Sequence, residues 1–524
     1  MSGRVNVQTL QTELKQFNAD ELRDLIIRLV QHGDYKTAKW IGEVVERTFK
    51  KALENKKRSA PDSAKVKEML AFADKVVRKG YADGDEVDEY LAFAAEAFAA
   101  QEYDICVQFY SKLLPSLSSH EIDMGYYESI EEVIDADLEQ CAGEYAVSVY
   151  LNSGKKDRAK AVFGALLDID DAASMFEPLS EMEQVYGGAL PELDSFLPDW
   201  KKFLEDWSAD ERDKWFSYDD DWLREVTFRL EGVAGLEKRA RKTKSPSDFS
   251  AWGDAHVRVK NWKAALNAYR IAAKEVKSAS NFDVASFYEQ AALAAQELNH
   301  KDKLSLLHSA WKTSPSMERL QCWLGAAGSK KRCLGSVNTA LMECPKSEKR
   351  QQAFLMYLRG EFVDAAKLTG AAPALGWSEL AHPGHLMIPL IVRLFENGSA
   401  ILKSLEKKRD VNAFNSLSDW DEKFDDVPHL YLATVEDIVK LSGVSTSKYS
   451  VDEKALLKEL KKIASKRAKG ILANQRRNHY HHVAWLMTVC LRLDASSSTT
   501  HWFNKLKTEY KRYSAFQREF EALA

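Results

Sequence analysis

The chain has 524 residues, of which 45% are apolar, and its 74 Lys and Arg against 79 Asp and Glu leave a net charge of −5. That apolar content excludes wholesale disorder, while the near-balanced charge neither demands nor excludes a nucleic-acid partner and leaves local patches to decide. Only 12 Pro and 24 Gly, against abundant Ala, Leu, Glu and Lys, exclude a loop-rich chain and point to helix.

No run of about 18 uncharged apolar residues is present, so no membrane span is expected. The opening MSGRVNVQTLQTELKQFNAD lacks the apolar centre of a signal peptide, and the expected location is cytoplasmic. Cys106, Cys141, Cys322, Cys333, Cys344 and Cys490 form no CxxC or CxC pair, which suits reduced, buried thiols.

Residues 1–114 read as N-terminal helical hairpins. DELRDLIIRLVQH carries Leu22, Leu25, Ile26, Leu29 and Val30 on one helical stripe. GDYKTAKW follows. Gly33 fits a helix stop, because Gly adopts the left-handed conformation without a Cβ clash. Asp34 fits the next N-cap, Tyr35 an apolar anchor, and Ala38 a small contact residue. DGDEVDEY, 83–90, alternates acids but lacks the glycine that a calcium loop needs. The hinge pattern returns as Gln101-Glu102-Tyr103 leading to Cys106. PSLSSHE, 115–121, reads as a linker.

Residues 121–237 begin with an amphipathic helix over 134–151 and a further hinge, Gly154-Lys155-Lys156 leading to Ala159. DIDDAAS, 168–174, fails as a calcium loop for the same reason as 83–90. Beyond 188 the texture changes to Trp200, Trp207, Trp215 and Trp222 among acids, with nine acidic and four basic side chains over 199–221. Two readings compete: a partner-binding aromatic and acidic hairpin, or Trp side chains packing a core while the acids face water.

The basic stretch KRARKTKSPSDFS, 238–250, marks a boundary, and a central array follows over 246–370. Its hinges are Lys260-Asn261-Trp262 leading to Ala265, a weaker Leu298-Asn299-His300 leading to Lys303, and Gly360-Glu361-Phe362 leading to Ala365. The stretch 249–276, with Trp252-Gly253 on one helix and Trp262, Ala265, Tyr269 and Ala272 on the next, resembles the tetratricopeptide repeat, a helix–turn–helix unit of 34 residues. In the next unit Ala291 replaces the glycine, Ala310 is kept and Pro315 ends the unit. The resemblance implies an all-α, irregular tetratricopeptide-like α-solenoid of helical hairpins. The competing reading is an irregular all-α protein with capped hairpins. TGAAPALGWSELAHPGH, 369–385, breaks the pattern. A helical connector is expected over 386–440, a linker over 441–450, and a basic helical region over 451–524.

Motifs for chemistry are absent: no GxxxxGK[ST], HExxH or GxSxG occurs, so no enzyme activity and no cofactor are expected. His479 and His482 lie i, i+3 and offer at most two metal ligands, without an acidic or Cys partner nearby in sequence. His382 and His385 flank a turn. The most concrete surface signal spans 454–477, with nine Lys or Arg and one acid, Glu459. Lys454, Lys458, Lys462 and Lys466 recur every four residues and form a slowly drifting stripe on one helix face, opposite Leu456, Leu457, Leu460 and Ile463. Arg476 and Arg477 follow. Such a stripe suits phosphate contacts or the solvated side of an amphipathic helix.

ILANQRRNHYHHVAWLMTVCLRL and WFNKLKTEYKRYSAFQREFEAL resemble the helical tail of bacterial SWIM-type zinc-finger proteins through Arg477, Tyr480 and Val483, and then Tyr510, Arg512, Phe516 and Phe520. FAAEAFAAQEYDICVQFYSKLLP and IDADLEQCAGEYAVSVYL resemble tetratricopeptide-like regions of the same family. That family's zinc motif, a CxC pair followed by CxH, has no counterpart here, so the resemblance implies the helical scaffold and not zinc binding. The function expected from these features is a non-enzymatic scaffold that binds a protein partner or peptide. The alternative is nucleic-acid binding through 454–477, assisted by 238–244.

Overall fold

The computed structural model describes residues 61–119, 122–124, 133–169, 175–210, 218–374, 382–406, 428–445 and 449–523. The first hinge, Gly33 to Trp40, lies outside them, as do Trp215 and residues 170–174. The fold is all-α. Among the described residues there are 23 α-helices and no strand, only an isolated bridge between Tyr81 and Asp123. Two compact units divide at Gly235 and Leu236, within one helix, α8 (Tyr218–Thr243), whose Gly232 leaves helical geometry at φ 63. The expected connection over 238–250 is therefore helical on both sides of Lys244 and Ser245.

Unit 1 contains α1 (Ser63–Lys79), α2 (Gly84–Ala99), α3 (Tyr103–Ser118), α4 (Leu138–Asn152), α5 (Arg158–Asp168), α6 (Pro178–Tyr186) and α7 (Leu193–Asp210). Helix α4 is buried on nearly every side, from Leu138 to Tyr150. Two of its buried polar side chains are satisfied internally: Tyr110 donates to Glu144 at 2.7 Å, and Tyr150 to the Pro191 carbonyl at 2.7 Å. Two acids of 83–90 are structural. Asp83 caps α2, and Asp88 accepts from the Asp135 and Ala136 amides, both at 2.9 Å.

The tryptophans of this unit favour the core reading. Phe163 contacts the rings of Trp200, Phe203, Trp207 and Trp222, and Trp200 and Trp222 are buried. The Trp222 indole donates to the Met175 carbonyl at 2.6 Å, which satisfies the polar edge of an otherwise apolar ring.

Unit 2 contains α9 (Pro246–Arg258), α10 (Trp262–Glu275), α11 (Asn281–Glu297), α12 (Lys303–Thr313), α13 (Met317–Gly325), α14 (Lys330–Glu343), α15 (Lys349–Leu358) and α16 (Phe362–Ala371). Each of these helices packs on its neighbour in sequence, an order compatible with a helical repeat. Gly253 is required by contact: a Cβ there would sit 2.2 Å from the Tyr269 ring. This close approach joins α9 and α10, the two helices of the repeat-like stretch 249–276. Further on lie α17 (Pro383–Val392), α18 (Gly398–Glu406), α19 (Val435–Ser442), α20 (Glu453–Leu472), α21 (Tyr480–Leu493), α22 (Ser497–Glu509) and α23 (Ser514–Leu523). Of the expected connector 386–440, residues 407–427 lie outside the described ones.

Four of the recurring hinges share one physical basis. Gln101, Lys260, Asn299 and Gly360 all have positive φ, at 66°, 56°, 49° and 84°. At each, the left-handed residue donates to the carbonyl three residues back, and the next amide donates five back, as in Glu102 to Ala97 and Asn261 to His256. This paired closure satisfies the orphan carbonyls of a helix end. It places the weaker hinge one residue later than expected, on Asn299 and not Leu298. Gly154 closes differently: the Asp157 and Arg158 amides both donate to its carbonyl, at 3.0 and 2.9 Å.

Candidate functional site: the basic helix and the segment across the array

Helix α20 starts at Asp452, whose carboxylate accepts from the Ala455 amide at 2.9 Å. Leu456, Leu457, Leu460 and Ile463 are buried, as the sequence pattern predicts. The lysines opposite divide by position. Lys466, at the edge of the stripe, donates to the carbonyls of Gly370, Ala371 and Ala372 at 3.0, 3.3 and 2.6 Å. It closes the C-terminus of α16, where a cation meets the negative end of the helix dipole. Lys462 pairs with Glu459 at 2.6 Å, and Lys461 donates to Thr499 at 3.0 Å. Lys454 and Lys458 are exposed with no ion pair or side-chain hydrogen bond among the described residues, and so are Lys469, Arg476 and Arg477. These five are the cations left open to a ligand.

Arg467 is buried and donates to the Ala374 carbonyl at 2.6 Å and to His482 Nδ1 at 3.3 Å. The two histidine groups of the sequence converge around it. His482 lies with ring centroids 5.5 Å from His479 and 4.2 Å from His481, and His385 is near enough to act on its charge. Burial first, then His481, Arg467, His479 and His385, push the His482 imidazole down to about 3. Its Nδ1 lone pair is taken by Arg467. His382 accepts from the Gly384 amide at 3.0 Å and caps α17. Among the described residues no group of three or more His, Cys, Asp or Glu side chains is arranged to hold a metal ion.

A second feature left no sequence signal. Residues 428–434 run without regular structure and then enter α19, where Thr434 and Asp437 form a reciprocal capping box. This segment crosses successive hairpins of the array. Gln296 of α11 donates its side-chain amide to the His429 carbonyl at 3.1 Å, and Gln321 of α13 to the Ala433 carbonyl at 3.0 Å. Lys303 donates to the Gln296 side-chain oxygen at 3.0 Å, which turns the NH2 of that amide toward the segment. A Cβ on Gly325 would lie 2.3 Å from the Ala433 methyl, so the glycine makes the slot that Ala433 fills. Val435 and Ile438 are buried, and Lys330 reaches the Gly443 carbonyl at 3.4 Å. Tyr449 stacks edge-on against Phe362, with ring centroids 6.1 Å apart, and leaves no room for a Cβ on Gly360. Tyr431 and Leu432 project outward, 59% and 41% exposed. The contacts combine backbone recognition, which ignores sequence, with one slot that admits a small side chain.

The residues behind the tail resemblance divide: the aromatic and Val positions are mostly packing residues, while Arg477 and Arg512 are exposed. Tyr480, Val483, Phe516 and Phe520 are buried, and Tyr480 meets Phe516 edge-on at 6.0 Å. No helix among the described residues is long and apolar enough to cross a membrane. No protein-family model, no curated protein and no solved structure matches the chain, so kinship with SWIM-type or tetratricopeptide proteins has no support beyond the likeness of these residues.

Proposed function

We propose that this chain is a non-enzymatic protein-interaction scaffold built from tetratricopeptide-like hairpins, and that unit 2 carries the binding surface. One observation supports this reading above others. The array already holds an extended peptide, its own residues 428–434, through side-chain amides aimed at backbone carbonyls. Stacked hairpins offer repeated helix ends at a regular pitch, which suits extended partners.

The second reading is polyanion binding, nucleic acid included, through the open cations Lys454, Lys458, Lys469, Arg476 and Arg477. Lys462 and Lys466 contribute less to it, because each already has a partner.

One experiment separates the two. A photo-crosslinking residue is placed at Leu298, Val259, Met342 or Lys458 of the full chain, each exposed, and products are identified after irradiation in cells. The scaffold reading expects protein adducts at one or more of the first three sites. Nucleic-acid adducts confined to position 458 would replace it with the second reading. That reading also requires salt-dependent affinity, with the slope of log K against log salt falling by about 0.7–0.9 for each of Lys454 and Lys458 changed to Glu.

A further inference from the structure

The geometry points to residues 428–434 as a built-in occupant of a peptide-binding edge, which an extended partner segment of matching chemistry displaces. This inference rests on the scaffold reading and adds to it the site, the partner's chemistry and a form of regulation.

The edge is formed by Gln296, Gln321, Gly325 and Lys330, with Lys303 orienting the first amide. Gln296 and Gln321 donate to carbonyl oxygens of the segment, at His429 and Ala433, and Lys330 donates to the Gly443 carbonyl beyond α19. Any extended chain presents such oxygens, so they set affinity and direction but not sequence. Specificity comes from one position. Ala433 is buried with its methyl against Gly325, a fit that favours a small residue there, Ala, Ser or Gly.

The residues after it add a second requirement. Thr434 caps a short helix whose Val435 and Ile438 are buried. The partner is therefore an extended segment with a small residue, then Ser or Thr, then an amphipathic turn with apolar residues one and four positions after the cap. Gln296 makes its contact in the exposed part of the segment and Gln321 in the buried part, so release begins at His429 and proceeds toward Ala433.

The bonds that hold the segment are neutral amide-to-carbonyl contacts, individually weak. Tethering raises the segment's effective concentration to the order of millimolar. A free peptide thus competes poorly with the tethered copy until that copy is weakened, and the edge stays closed to weak partners.

The test uses a fluorescent peptide of residues 428–445 and the full chain. Ala433→Phe in the chain removes the fit to Gly325 and releases the tethered copy. The expected result is peptide binding at least ten-fold tighter to the Ala433→Phe chain than to the unaltered chain. The same peptide carrying Ala433→Phe binds neither. No peptide binding by an Ala433→Phe chain of unchanged helical circular dichroism overturns the proposal and leaves the segment a fixed brace. Hydrogen exchange on the unaltered chain gives an independent measure if that variant fails to fold. Faster exchange at the Ile438 amide, which is bonded to the Thr434 carbonyl, than in α13 supports release without unfolding of the array, and equal protection overturns it. Adducts at Val259 or Met342 alongside a failed peptide titration would leave the scaffold reading standing and remove only this site.

Discussion

Glu225 in unit 1 and the Lys466–Arg467 pair in unit 2 each reach from one helix to close the end of another, with opposite charge. The Glu225 carboxylate accepts from the Leu179 and Ser180 amides at 3.0 and 2.8 Å, at the positive N-terminus of α6. Lys466 and Arg467 donate to the carbonyls at and beyond the negative C-terminus of α16. Both arrangements match the helix dipole. They differ in how the buried charge is accommodated. Arg229 lies against Glu225 at 3.2 Å and Glu183 at 2.8 Å, so a cation answers the carboxylate. Arg467 lies beside a group of histidines, whose protonation adds charge of its own sign. The first arrangement is expected to tolerate acid better than the second.

The largest expected effect comes from breaking the first arrangement. Glu225→Ala leaves two amides at the start of α6 without their acceptor and strips Arg229 of one partner. The expected loss is about 3 kcal/mol, read as an earlier unit 1 transition in urea. Glu225→Gln restores an acceptor but not the charge and should recover part of that loss. If Glu225→Ala is neutral, the carboxylate is a bystander and α6 is held by packing of Leu179 and Met182 alone.

Acid probes the second arrangement. The His482 imidazole sits lower in the folded chain, at about 3, than the 6.5 it has when exposed. Between these values the unfolded chain binds a proton that the folded chain does not. The contribution to stability is therefore whole above pH 6.5 and is lost as pH falls toward 3, by about 1.4 kcal/mol per pH unit. Glu225 has the opposite sign: burial raises its carboxyl, so this group favours the folded form as pH falls. Unfolding followed from pH 7 to pH 5 should show a steep decline that His482→Gln flattens. A slope unchanged by that substitution would assign the acid sensitivity to other groups.

The helical class was legible because it is written locally. Apolar stripes of period 3.6 and the Trp252-Gly253 and Tyr269 pattern need only neighbouring turns to make sense. The fates of Lys466 and Arg467 were not legible. Every-four spacing identifies a helix face, but only packing decides that Lys466 meets the end of α16 while Lys458 meets water. Residues 428–434 were read as part of a helical connector because an extended segment held by distant side-chain amides has no period to detect. The histidine groups looked like separate features because their convergence joins α17 to α21.

The hinges supply the smallest effect and a contrast with both charged arrangements, since they close helix ends by backbone geometry alone. Lys260 is left-handed and carries a Cβ, a conformation that costs an L-residue about 1–2 kcal/mol. Glycine removes that cost but loses more entropy on folding. Lys260→Gly should therefore stabilise the chain by about 0.5–1 kcal/mol. Gly360→Ala should do the reverse and more, because the added methyl also meets the Tyr449 ring at 2.3 Å. Urea titrations of the two variants test one cause with opposite signs. If Lys260→Gly is neutral while Gly360→Ala is costly, the Tyr449 contact and not the left-handed closure governs that hinge. The glycine at 360 would then belong to the segment laid across the array.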